Sequence, residues 1–258
     1  MPNQRQSFVF SSRKHQQGIS LIVILVVVML SMLLALWAAR SALFNQIIVS
    51  NDADYQRAFS AAQAMLQDAE LDILRMQPNG NNCVKNSSKP QVCRASGVLY
   101  PPTGAEEIGP LLSKLSALNI SPDTPPCKDG LCSKRPDPQD FWNNDALLTN
   151  MLKDTVGARY GQYTGAKAAT GTNEIGASGN SILNESGNGK KGAWYWIEVL
   201  PYSASATSGN LIAGNSTDIL PLTIDPLVVY RITAIAYGRK SGTRVVLQQT
   251  FAPQKLKN

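Results

Sequence analysis

The sequence predicts an α+β protein: a long N-terminal membrane-spanning α-helix packed on a C-terminal antiparallel β-sheet, with a loop-rich, disulfide-containing insertion between them. Three observations carry this reading. Residues Ile19–Ala39 read ISLIVILVVVMLSMLLALWAA, without one charged side chain. Neither glycine nor proline occurs between Gly18 and Pro78. The end of the chain, 193–258, holds three apolar, β-branched and aromatic runs bounded by turn residues.

The chain has 258 residues, 43% hydrophobic and 16% charged, which suits one globular domain plus a specialised segment. The net charge of +6 owes half its value to Arg5, Arg13 and Lys14 in the first eighteen residues. The basicity of the remainder is therefore a weak sign of nucleic-acid binding. The single histidine, His15, lies in the same basic start. Acid–base chemistry or metal ligation by histidine is thus excluded from the rest of the chain, which points away from an enzyme.

Taking the elements in order, Ile19–Ala39 would make a helix of about 31 Å, matching the ~30 Å hydrocarbon core of a bilayer. The run exceeds the ~7–15 apolar residues of a cleaved secretory signal, and no A-x-A triplet occurs between Ala35 and Asn45. It is also apolar on every face, unlike the core helix of a globular domain. Basic residues precede it and acids begin only at Asp52, which places the N-terminus in the cytoplasm and the body beyond the inner membrane. Without glycine or proline, the helix is free to continue to Gln77. Its second half is amphipathic: Phe59, Ala62, Leu66, Ala69, Ile73 and Met76 recur at three- and four-residue steps, flanked by Ala58, Ala61 and Met65. Arg57, Asp68, Asp72 and Arg75 are expected to face water or partners.

After Pro78 the texture turns to loops. Cys83 and Cys93 bracket nine residues, and Cys127 and Cys132 bracket Lys-Asp-Gly-Leu. In an oxidising compartment disulfides are expected; three pairings are open, of which the local pairs 83–93 and 127–132 are favoured, the second by its Asp129-Gly130 turn. A four-cysteine zinc site is the competing reading, but the usual spacing fits one pair only. Short helices are predicted at Pro110–Leu118 and Asp140–Val156, the latter starting near Asp137-Pro138 and presenting Phe141, Leu147, Leu148, Met151, Leu152 and Val156. Gly161–Gly192, rich in Gly, Ala, Asn, Ser and Thr, reads as a long exposed loop. Strands follow at Trp194–Leu200, Leu227–Tyr237 and Thr243–Phe251, the last two joined by Gly238–Gly242, with Val245, Leu247 and Phe251 facing the helix.

Two segments carry a family resemblance. Lys14 to Ile22 (KHQQGISLI) is similar to a class III, prepilin-type leader, in which a basic peptide ends in glycine just before the apolar helix. Asn51–Glu70 (NDADYQRAFSAAQAMLQDAE) resembles the helix signature of the PilX minor pilins of type IV pili, with Gln63 departing from the usual glutamate. Tyr230–Ala234 (YRITA) and Val245–Gln248 resemble the PilX ending. The match covers roughly 14–76 and 193–251.

The resemblance implies a type IV pilin-like fold, divided into a leader peptide 1–18, a transmembrane half-helix 19–39, an amphipathic half 40–77, a loop and cysteine region 78–192 and a sheet 193–258. It implies that a prepilin peptidase cuts between Gly18 and Ile19 and methylates Ile19. Val23, five residues into the mature chain, stands where major pilins carry a glutamate that pairs with a neighbour's N-terminal amine. Its absence is compatible with a subunit at the very tip, since a buried carboxylate is costly without a partner. Arg40 stands where many major pilins have a kinking proline.

A single histidine rules out H-E-x-x-H, no G-x-S-x-G occurs, and Gly189-Lys190 is followed by Lys191, with Asn184 where a phosphate loop needs glycine. Glu106-Glu107 and Asp137 with Asp140 read as capping or solvated acids. Asp123, Asp129 and Asp137 form no D-x-D-x-D-G calcium array. Lys190, Lys191, Arg239, Lys240, Arg244, Lys255 and Lys257 are positioned to gather on one side of the sheet as a ligand patch. Nucleic acid there is not favoured, because no aromatics are interleaved for stacking.

The expected function is therefore a minor pilin without catalytic site, metal or cofactor, held in the bacterial inner membrane before assembly and at the pilus tip afterwards. It would prime pilus assembly with other minor pilins and the major pilin, and support a PilY-type tip adhesin. The alternatives are a DNA- or surface-binding minor pilin acting through Gly161–Gly192, a type II secretion pseudopilin, and a bitopic periplasmic protein unrelated to pili.

Overall fold

A computed structural model describes residues 19–83, 93–94, 98–118, 126–135, 140–168, 179–201 and 227–253. The leader 1–18 with Gly18, the residues Asp123, Asp137, Pro138, Lys255 and Lys257, and 169–178 of the expected loop lie outside these. The chain divides into two units, residues 1–51 and 52–258. Helix α1 (Ile19–Ile73) supplies all the described residues of the first and opens the second.

In the first unit the apolar side chains are exposed, from Leu21 at 73% to Val49 at 66%. Among the described residues, one helix is long and apolar enough to cross a membrane.

Among the described residues the second unit is built on five strands: β1 (Cys127–Lys128), β2 (Leu131–Cys132), β3 (Ala193–Pro201), β4 (Val228–Tyr237) and β5 (Arg244–Phe251). They pair in sequence order, antiparallel except for β2 beside β3, where Leu131 lies opposite Ile197. The three long strands lie where the sequence predicts them, within one residue at each end. They alternate faces strictly. Tyr195, Ile197 and Val199 of β3, with Tyr230, Ile232 and Ala234 of β4, pack on α1. Trp194, Trp196, Ile235 and Tyr237 pack on the opposite side against Phe141, Leu148, Met151, Leu152 and the Cys127–Cys132 disulfide. Both faces of β3 are thus covered, which is why AWYWIEV is buried throughout.

The buried face of α1 follows Asp54, Ala58, Ala61, Met65, Asp68 and Asp72, with Ala62 and Ala69 beside them. These steps of four, three, four, three, four form one helical seam. It is rotated from the stripe expected through Phe59, Leu66 and Met76, which are only half-buried. The alanines decide the matter: Ala58, Ala61, Ala62 and Ala69 are at most 0% exposed, so the helix approaches the sheet more closely than phenylalanine would permit. Val245, with Leu247 and Phe251, joins the same core.

α1 stops at Ile73 rather than at Gln77. Arg75 takes a left-handed conformation (φ 53°). The N–H of Met76 then donates to the Leu71 carbonyl at 2.8 Å and that of Arg75 to the Asp72 carbonyl at 3.1 Å, closing the helix as a glycine usually does. The strain in a non-glycine residue is offset by its side chain, which donates to the Pro101 carbonyl (2.7 Å) and Glu107 (3.0 Å) and lies over the Tyr100 ring.

The two short helices differ from their expected limits. α2 (Ala105–Ser116) starts five residues earlier and carries Pro110 inside. Glu107 in its first turn accepts from the Thr103 N–H and hydroxyl, fixing that start. α3 (Asp145–Met151) is shorter than Asp140–Val156, because Asn144 caps it by accepting from the N–H groups of Ala146 and Leu147. Of the apolar residues expected there, Phe141, Leu148, Met151 and Leu152 are nevertheless core, and Leu147 and Val156 pack half-buried against them.

Candidate functional site

Three features are the candidate functional surfaces: the apolar half of α1, the attachments that fix its other half in the body, and a basic hollow at the β4–β5 turn. Ile19 is the first residue of α1, and Val23 is 52% exposed. Arg40 is exposed and is the one charge between Ile19 and Asn51.

The attachments are three aspartates of the α1 seam, each of which holds a distant loop. Asp68 and Asp72, expected at the surface, are 2% and 3% exposed. Asp54 accepts from the N–H groups of Arg239 (2.9 Å) and Lys240 (3.1 Å) and so ties the β4–β5 turn. Gly238 makes room for it: a Cβ there would lie 2.3 Å from the Asp54 carboxylate. Burial raises the Asp54 pKa, but these N–H groups, the Thr243 hydroxyl and the Lys240 charge outweigh it, leaving it below the usual value.

Asp68 accepts from the Gly161 N–H (2.7 Å) and from the Thr164 hydroxyl. Burial pushes its carboxyl up to about 6 against these bonds, aided by the neighbouring Asp72 charge. Thr164, Tyr163 and Ile182 are buried. Segment 161–168 of the expected exposed loop is therefore largely packed against the body, whereas in 179–192 only Ile182 and Gly192 are buried and half of the residues, Lys190 and Lys191 among them, are exposed.

Asp72 takes Arg94 in a two-pronged pair, Nε to Oδ1 at 2.7 Å and Nη2 to Oδ2 at 2.5 Å, and accepts from the Tyr195 hydroxyl at 2.9 Å. Arg94 also donates to the carbonyls of Leu99 and Asp129 and stacks over Tyr163. Burial opposes its charge, yet Asp72 raises the guanidinium above its ordinary value. This arginine adjoins Cys93 of the Cys83–Cys93 disulfide. Asp129 and Gly130, both at positive φ, form the turn closed by Cys127–Cys132. Arg94 therefore joins α1, β3 and both disulfide loops. No local pattern announces this, since Asp72 and Tyr195 are separated by 123 positions.

Of the seven basic residues named as a ligand patch, Lys190, Lys191, Arg239, Lys240 and Arg244 line one hollow, and Lys255 and Lys257 lie outside the described residues. Among the expected acids, Asp129 belongs to the β1–β2 turn and Asp140 accepts from Asn143 (2.8 Å). Among the described residues, no group of three or more His, Cys, Asp or Glu side chains is placed to hold a metal ion.

Residues 128–253, from β1 through β5, match the family model described as Type IV pilus assembly protein PilX C-term. No curated protein and no solved structure matches the chain.

Proposed function

Since residues 128–253 make this chain a PilX-type assembly protein of type IV pili, and so a minor pilin, we propose that it primes pilus polymerisation. In this reading a prepilin peptidase removes 1–18 at Gly18–Ile19 and methylates Ile19. The mature chain joins other minor pilins in an inner-membrane complex, remains at the fibre tip, and supports a large adhesin there. Val23 in place of a carboxylate suits a terminal subunit that need not repeat an amine pairing along the fibre.

The observation that carries the reading is the contrast along α1. Apolar residues from Leu21 to Val49 are exposed, while the seam from Asp54 to Asp72 is fixed to the body by buried carboxylates. The exposed run passes Arg40 and continues through Leu43, Phe44, Ile47 and Ile48, longer than the ~30 Å of hydrocarbon requires. A surface of this kind calls for protein neighbours as well as lipid. Deletion is expected to reduce surface pili while the cellular level of major pilin stays unchanged; normal piliation and twitching would contradict the proposal.

A further inference from the structure

Two hollows lie beside the β4–β5 turn and share Ser181 and Arg239 as walls. Their volumes are about 650 and 580 Å³. The first carries the five basic side chains named above, and the second adds Arg57. Glu185 is the carboxylate among the lining residues. Lys190 is paired with Asp145, and Arg244 donates to the Trp142 carbonyl at 2.8 Å. The side chains of Arg57, Lys191 and Arg239 hold no partner among the described residues.

Tyr237 lines the first hollow but is 9% exposed and packs with Trp194, Trp196 and Phe141, so its hydroxyl is closed to the hollow.

We propose that the paired hollows bind a linear polyanion, recognised through phosphoryl groups in series. Each part of the geometry fits this ligand. Two adjoining hollows joined at Arg239 suit an extended chain better than a single ion. Arginine forks and lysine point charges are the groups that take phosphoryl oxygens. Six basic side chains stand against three carboxylates, Glu185 in the lining with Asp54 and Asp145 beside it, so positive charge remains in excess. Tyr237 is the aromatic residue of the lining and it is buried, so no platform for base stacking is offered there. This site goes beyond the assembly role and does not depend on it.

The test uses the full chain in zwitterionic nanodiscs, titrated with tripolyphosphate by calorimetry, with thermal melts as the fold control. The wild type is expected to bind at low salt, and more weakly as salt rises. The double variant Lys191→Glu/Arg239→Glu is expected to weaken binding about tenfold or more. The control Lys114→Glu/Lys128→Glu, of equal charge change but away from the hollows, should have the smaller effect. No binding at low salt, or equal loss in both double variants, would overturn the proposal. So would an oligothymidylate of equal charge binding far more tightly than tripolyphosphate, because bases or sugars would then be what is read. Pilus counts in the same variants report separately on the assembly role.

Discussion

Asp68 and Asp72 sit one turn apart on α1, yet their surroundings treat them differently. Asp72 has a full counter-charge in Arg94, whereas Asp68 has only neutral donors. Its carboxyl is therefore pushed to about 6, above the ordinary value of 3.8. An acid whose pKa rises on folding contributes stability at low pH that is lost as pH climbs from about 3.8 to about 6. Asp68→Asn removes this dependence. The variant's melting temperature is expected to gain on wild type as pH is raised from 4.5 to 7.5, with a parallel pair of curves as the contradicting result. Arg94→Ala has the opposite character, because it strands the buried Asp72 charge. Its expected cost is about 3–5 kcal/mol, read from urea unfolding followed by tryptophan fluorescence. Neither carboxylate was legible as buried: an aspartate on a helix reads as solvated unless its distant partner is known. Thr164 stands 96 positions from Asp68.

Among the elements, the legible ones are those whose signal is local. The strands β3, β4 and β5 announce themselves by apolar runs and a glycine-bounded turn, and α1 by its composition. The ends of helices are less legible, because they depend on contacts from elsewhere. α1 ends four residues before its expected limit because Arg75 is held by Pro101 and Glu107, and Asn144 cuts α3 short from its own side chain. The orientation of α1 was half legible. Large side chains suggested the stripe through Phe59 and Leu66, but the contact with the sheet follows the smallest ones. Ala61→Leu tests this: overfilling the seam is expected to cost about 1–3 kcal/mol, while the same change at exposed Ser60 leaves the melting temperature nearly unaltered.

At the scale of the whole molecule, one helix serves two environments. Its residues from Asp54 onward are bound to the body by packing and three carboxylates, while Leu21–Val49 remain available to lipid and to neighbouring helices. A globular protein would conceal such a surface, and an ordinary anchor would end it at the bilayer. The family of residues 128–253 and the exposed apolar run therefore converge on assembly. Lys190, Lys191, Arg239, Lys240 and Arg244, drawn from separate segments, line one hollow. The central claim is tested most directly by intact-mass spectrometry of the native mature protein. The expected species begins at a methylated Ile19 and shifts by four protons on reduction of its two disulfides. A chain that still begins at Met1, or is cut at any other bond, would contradict the account.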